Sequence, residues 1–135
     1  PLTMAPAVAA IDEYRRLDLL SRARSQGEKL GAKLRGLVDK HPSIGDVRGI
    51  GLFWAVDLVR DRTTKQPFNT AADKAARRPL VIDRVTGDLM KRGVFVMGWL
   101  SHLVLAPPLI VTDEQLDEAV AAIDAALAIA DSEIG

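Results

Sequence analysis

The sequence predicts an α+β fold, a small and mainly antiparallel sheet with helices packed on one side. Three observations carry that reading. Apolar residues recur at steps of three and four near both ends of the chain, and they alternate with period two through the middle. A double proline, Pro107-Pro108, separates the last strand pattern from the last helix pattern.

The first forty residues read as a helical lead-in of two pieces. Met4, Ala7, Val8, Ile11 and Tyr14 form one stripe, with Pro1 and Pro6 tolerated only near a helix start. Asp18 is the expected cap of the second piece. There Leu20, Ala23, Gly27, Leu30, Leu34 and Leu37 form the inward stripe, and charged residues from Arg22 to Arg35 fill the other faces. His41-Pro42 stops it. A two-stranded coiled coil needs a longer repeat without a glycine in its seam, so this helix is expected to pack on a sheet.

Residues 47–59 read as one strand, with Leu52, Trp54, Val56 and Leu58 on one face and Phe53, Ala55, Asp57 and Val59 on the other. Both faces are largely apolar. That fits a strand covered by helices on one side and by a further domain or subunit on the other. Arg60 to Pro67 is a polar turn, and a short helix is expected after Thr70, ended by Pro79. Ile82, Val85 and Leu89 predict a helix closed by Lys91, Arg92 and Gly93. Val94 to Met97 and Leu103 to Ala106 are the second and third strands.

Neither Pro107 nor Pro108 can donate to a sheet ladder, and Pro108 biases its predecessor away from helical geometry, so the third strand must end there. Thr112 and Gln115 then fit a capping box. The helix that follows carries Leu116, Val120, Ile123, Leu127 and Ala130 in one stripe. The expected core is Leu52, Trp54, Val56, Leu103, Leu105, Leu116, Val120, Ile123 and Leu127.

Composition narrows the function classes. The 135 residues, 48% of them hydrophobic, suffice for one domain and not for two comfortable ones. Eighteen basic residues balance eighteen acidic ones, which points away from nucleic-acid and acidic-membrane partners. Zero cysteines exclude a disulfide framework and any thiolate metal site, a pattern that suits the cytoplasm. No apolar run approaches membrane-spanning length, and no repeat or low-complexity tract occurs.

Three blocks, in order, carry a family resemblance: the opening helix from Pro1-Leu2, the stretch Asp46-Val-Arg-Gly-Ile-Gly-Leu52, and Ala106-Pro-Pro-Leu109 with its capped acidic helix. Together they resemble the C-terminal part of class III aminotransferases, pyridoxal-phosphate enzymes of fold type I. The resemblance covers nearly the whole chain. It implies that residues 1–135 form a single C-terminal small domain, with 1–40 as helical lead-in and 46–135 as α+β core. It also implies a homodimer, with an amino donor and a keto acid such as pyruvate as substrates of the complete enzyme. The alternative is a stand-alone α+β module that binds a ligand or partner and shares only descent with those enzymes.

A Schiff-base lysine must be partly desolvated to lose its proton. Lys29, Lys33, Lys40, Lys65, Lys74 and Lys91 all fall on polar helix faces, at helix ends or in the turn, so no catalytic or cofactor-binding residue is expected here and no cofactor is expected on this chain alone. What the resemblance does imply is recognition of the substrate carboxylate by an arginine ahead of the double proline. In α-carboxylate-binding members such as ornithine aminotransferases it stands three residues before the first proline, and here that position is Val104. In the amine and omega-amino-acid to pyruvate branch it stands ten residues before, and here that position is Met97. Ser101-His102-Leu103-Val104 and the turn from Arg60 to Phe68 resemble that second branch. Met97, Trp99, His102 and Val104 are therefore the expected substrate-binding positions.

Other residues have simpler readings. Gly49-Ile-Gly51 lacks the third glycine and following helix of a dinucleotide fingerprint, so it reads as a glycine-lined strand entry. His41 reads as a helix-end residue favoured by the dipole, and His102 as a structural cap. Arg48 reads as a member of a buried or interface ion pair rather than an anion site. Asp12, Glu13, Asp117, Glu118 and Asp124 have the spacing of solvated helix faces rather than of paired catalytic carboxylates.

Overall fold

Element order follows the predicted alternation closely. The structure, a computed structural model, describes residues 4–134, so Pro1 and Leu2 of the expected opening helix lie outside the described residues. The elements are α1 (Ala5–Arg16), α2 (Leu19–Gly36), β1 (Ile44–Ile50), β2 (Phe53–Asp61), β3 (Gln66–Pro67), α3 (Ala71–Ala75), α4 (Val81–Lys91), β4 (Met97–Trp99), β5 (His102–Leu105) and α5 (Asp113–Asp131). Strand order is β1-β2-β5-β4, with β3 beside β2, and every pairing is antiparallel.

The lead-in does break into two helices. Asp18 makes the break differently from expectation: it adopts the left-handed region at φ 44° and its side chain forms no cap hydrogen bond. Aspartate tolerates that conformation because its short side chain hydrogen-bonds locally. The inward stripe of α2 is displaced at its start. Leu19 is buried and Leu20 is exposed, and Gln26 joins the buried side.

Residues 47–59 are not one strand. They hold a tight hairpin in which Ile50 pairs with Phe53 and the two residues between them reverse the chain. Gly51 stands first in that loop at φ +54°, where two-residue hairpins favour glycine. Helix α2 approaches this turn closely. A Cβ at Gly27 would overlap the Gly51 carbonyl, and one at Gly31 would overlap the Trp54 ring. The predicted side-chain phase nevertheless holds for Leu52, Trp54, Val56 and Leu58, all buried.

The expected strand at Val94 to Met97 begins three residues later, as β4. The antiparallel register that pairs Met97 with Val104 would set Val94 opposite Pro107, beyond the end of β5. Residues 94–96 instead run as an extended connection with Val96 buried. Strand β5 starts one residue early, at His102, and ends at Leu105 before the prolines. α3 and α5 carry capping boxes, Thr70 with Asp73 and Thr112 with Gln115. Both satisfy helix N-terminal N–H groups reciprocally.

The helices cover one face of the sheet. Leu30, Leu34, Trp54, Val56, Leu58, Ile82, Val85, Leu89, Leu103, Leu105, Leu116, Ile123 and Leu127 form the core between them. Val120, expected there, is only half-buried at its edge. No helix among the described residues is long and apolar enough to cross a membrane.

Candidate functional site: the open face of the sheet

Strand alternation sends one set of side chains to the helices and the other set to an uncovered face. On that face the register aligns them in rows. Asp46 pairs with Asp57, Asp57 with His102, and His102 with Trp99. The next row runs Arg48, Ala55, Val104, Met97, and the last joins Ile50 to Phe53. All four expected site positions therefore lie together, as two cross-strand pairs of the β4–β5 hairpin. Met97 and Trp99 are each 54% exposed, while His102 and Val104 are half-buried.

The polar row is tightly connected. Nδ1 of His102 lies 2.7 Å from Asp57 Oδ1, and Arg48 donates through Nη1 to Asp57 Oδ2 and to Asp46 Oδ2, the latter at 3.0 Å. Burial pushes the Asp57 carboxyl up, but the hydrogen bonds from Arg48 and His102 outweigh it and hold the group below the ordinary carboxylate range. Because an ionised carboxylate only accepts, Nδ1 of His102 carries the hydrogen and Nε2 remains the ring's free polar atom. The same carboxylates raise the Arg48 guanidinium further above its ordinary value, Asp57 first and then Asp46. Arg48 is thus ion-paired as expected, but on an exposed surface rather than in a buried one.

Beside this row lies a concavity of about 700 Å3, bounded by Asp46, Asp57, Lys65, Thr70, Ser101 and His102. Its wall is fixed by hydrogen bonds. The Asn69 N–H donates to Ser101 Oγ (3.1 Å), the Ser101 hydroxyl donates to the Asn69 carbonyl (3.2 Å), and Ser101 is 3% exposed. Leu100, in the β4–β5 turn, takes φ 55°, uncommon for a residue with a branched side chain. At the far edge the Lys74 ammonium stands 3.3 Å from the Trp99 ring centroid, a cation–π contact.

The two histidines belong to separate clusters. His41 is buried, with Nδ1 2.6 Å from Asp131 and Nε2 2.7 Å from Asp124, and Ser43 donates to Asp131 at 2.6 Å. This cluster ties the end of α2 and the start of β1 to α5. Asp124 is therefore a partner of a buried ring, not a member of a solvated face. His102 is likewise part of a sheet-face network rather than a cap.

The lysines offer no attachment point for a carbonyl cofactor. Lys29, Lys33 and Lys40 pair with Asp113, Asp117 and Asp124, Lys65 donates to the Gly45 carbonyl, Lys74 covers Trp99, and Lys91 is exposed. Each is exposed or already paired and none is desolvated, so the residues present do not fit covalent binding of pyridoxal phosphate. No group of three or more His, Asp or Glu among the described residues is arranged to hold a metal ion.

Asp57 and Asp46 were not singled out from sequence. A signal was there: Asp57 is the one charged residue within Leu52 to Val59, but Asp46 and Arg48 join its face only because the hairpin shifts the alternation by one residue.

Comparison with known proteins follows this geometry. The sequence profile of the family Aminotransferase class-III matches residues 1–127. A taurine–pyruvate aminotransferase of Bilophila wadsworthia is 36% identical over 97% of this chain and 28% of its own length. A leucine/methionine racemase of Thermococcus litoralis is 35% identical over 95% of this chain and 27% of its own. Among solved structures, an S-selective transaminase from Arthrobacter with alanine bound superposes with TM-score 0.87 at 29% identity, over 98% of this chain and 29% of the other. The chain thus spans between a quarter and a third of the length of these relatives.

Proposed function

Because the chain belongs to the class III aminotransferases, we propose that it is the C-terminal small domain of a pyridoxal-phosphate enzyme moving an amino group from an amine or omega-amino acid to a keto acid such as pyruvate. The observation that carries this reading is the open sheet face. Met97, Trp99, His102 and Val104 form a half-apolar wall whose one polar tip, His102, is oriented by Asp57. Pockets for small substrates commonly combine apolar walls with a few placed polar groups. The relatives that use taurine and pyruvate support the choice of donor and acceptor class, and the racemase shows that the family hosts other reactions on the same fold.

In this reading the chain supplies no lysine. When bound in the complete enzyme, pyridoxal phosphate supplies the electron sink for amino transfer. The chain's own residues bound the substrate space, exclude water from it and hold one imidazole at a set angle. The balanced charge and absence of cysteine support a cytoplasmic enzyme, and the exposed apolar side chains of α1 support a homodimer in which that helix is covered.

The test is a transamination assay on the polypeptide translated from the complete reading frame, with taurine, β-alanine or an alkyl amine as donor and pyruvate as acceptor. Turnover that falls with Trp99→Ala and His102→Ala, mainly through KM, is the expected result. Absence of turnover with every donor, in a protein that binds the cofactor stoichiometrically, would favour the stand-alone binding module.

A further inference from the structure

We propose that Arg48 is the residue that binds the substrate's carboxylate, at a site above Ala55 on the open sheet face; this assignment rests on the aminotransferase reading. The two positions at which the resemblance implies a carboxylate-binding arginine hold Val104 and Met97, neither able to pair with an anion. The register places Arg48 in the same row as both, in the order Arg48, Ala55, Val104, Met97. Val104 is two strand spacings from Arg48, about 10 Å. The residue between them is an alanine, so no bulky side chain separates the guanidinium from the surface in front of Val104.

The mode of anchoring matters most. Arg48 donates to Asp46 and Asp57 through Nη1 alone, and among the described residues neither Nε nor Nη2 has a partner. One nitrogen fixes the group while the Nε–Nη2 edge stays open. That edge presents two parallel N–H donors, the geometry that pairs with both oxygens of a carboxylate. The side chain is 55% exposed, so ligand access needs no rearrangement of the core. The two aspartates outnumber the one guanidinium charge. The site therefore selects by hydrogen-bond geometry rather than by net charge, and added salt, which screens the aspartates' repulsion of a third carboxylate, does not weaken binding. His102 reaches the same network through Asp57 and orients the arginine without touching the carboxylate.

Two measurements test this. In nitrogen-resolved NMR of the 135-residue chain, β-alanine and pyruvate should shift the Arg48 Nε–H and the amides of Ala55 and Val104 saturably, whereas ethylamine should not. Arg48→Gln should abolish the shifts, and Arg48→Lys, which keeps charge but loses the fork, should weaken them about tenfold or more. Ala55→Leu, which leaves Arg48 intact but fills the row, should also abolish them, with an unchanged melting temperature showing that the fold survives. In the complete enzyme, Arg48→Gln should lower the ratio of kcat/KM for pyruvate to that for an aldehyde of matching length by roughly tenfold or more. Shifts that persist in Arg48→Gln, an equal response to ethylamine, or an unchanged ratio in an active enzyme would overturn the assignment. The last outcome leaves the aminotransferase reading standing, whereas carboxylate-dependent shifts without turnover in the complete protein would overturn that reading and keep Arg48 as the anion site.

Discussion

Asp124 and Gly27 show how single residues set the strength of this fold. The hydrogen bond from His41, followed by that from Lys40, holds the Asp124 carboxyl below the usual carboxylate range. A depressed carboxylate contributes stability that is fully present above its unfolded value, near 3.9, and is lost as pH falls through the lower folded value. Asp124→Asn should therefore destabilise the protein, by about 1 kcal/mol at neutral pH once solvent screening of this partly exposed carboxylate is allowed for, with the difference from wild type shrinking below about pH 4. Urea titrations at several pH values check this; a pH-independent difference would contradict it. Gly27 presents the opposite case, in which the added group does harm. Alanine gains roughly 1 kcal/mol of helix propensity there, but its Cβ would meet the Gly51 backbone carbonyl, which has no rotamer to escape into. Gly27→Ala should lower stability by about 1 kcal/mol or more net, read from the denaturation midpoint. At this scale the place before the double proline was enough to bring the four expected positions, Met97, Trp99, His102 and Val104, onto one hairpin. The sequence hid the Arg48–Asp57–His102 network, because cross-strand partners 9 and 45 residues apart are brought together only by register.

The terminal helix was the most legible element, because its capping box and its stripe both speak locally. Thr112 bonds the Gln115 N–H and Gln115 bonds back, and Leu116, Ile123, Leu127 and Ala130 are buried. Ile123→Ala and Leu127→Ala should each cost about 2–5 kcal/mol, since both side chains are fully buried, and Thr112→Ala about 1 kcal/mol. Unchanged midpoints in both core variants would mean that α5 is not docked. The hairpin at Gly51 was less legible for a physical reason. A two-residue loop shifts the alternation of side chains by one residue, but with Gly45, Gly49 and Gly51 in and just before this stretch too few side chains precede the loop for that shift to show, so Val47 to Val59 looks continuous although the chain reverses within it. Strand β4 was displaced because its extent depends on where β5 stops, and the prolines that stop β5 are ten residues further on.

For the whole molecule, the uneven distribution of apolar surface is the dominant fact. One face of the sheet is packed under helices, yet Met4 at the N-cap of α1, Val8 and Ile11 on that helix, and Ile50, Phe53, Met97 and Trp99 on the open face, are each more than half exposed. Soluble monomers rarely leave contiguous apolar patches beyond a few hundred Å2 uncovered. With a formal net charge of zero there is little repulsion to keep copies apart. The isolated 135-residue chain should associate with rising concentration in light scattering, and a monodisperse monomer at high concentration would instead favour a self-sufficient module. The central claim is that this chain builds a wall of an aminotransferase site and leaves the reacting lysine to the rest of the enzyme. Borohydride reduction of the 135-residue chain mixed with pyridoxal phosphate tests it most directly. The expected result is no stoichiometric adduct at any one of the six lysines and no amino transfer; a single lysine labelled to completion, with turnover, would contradict it.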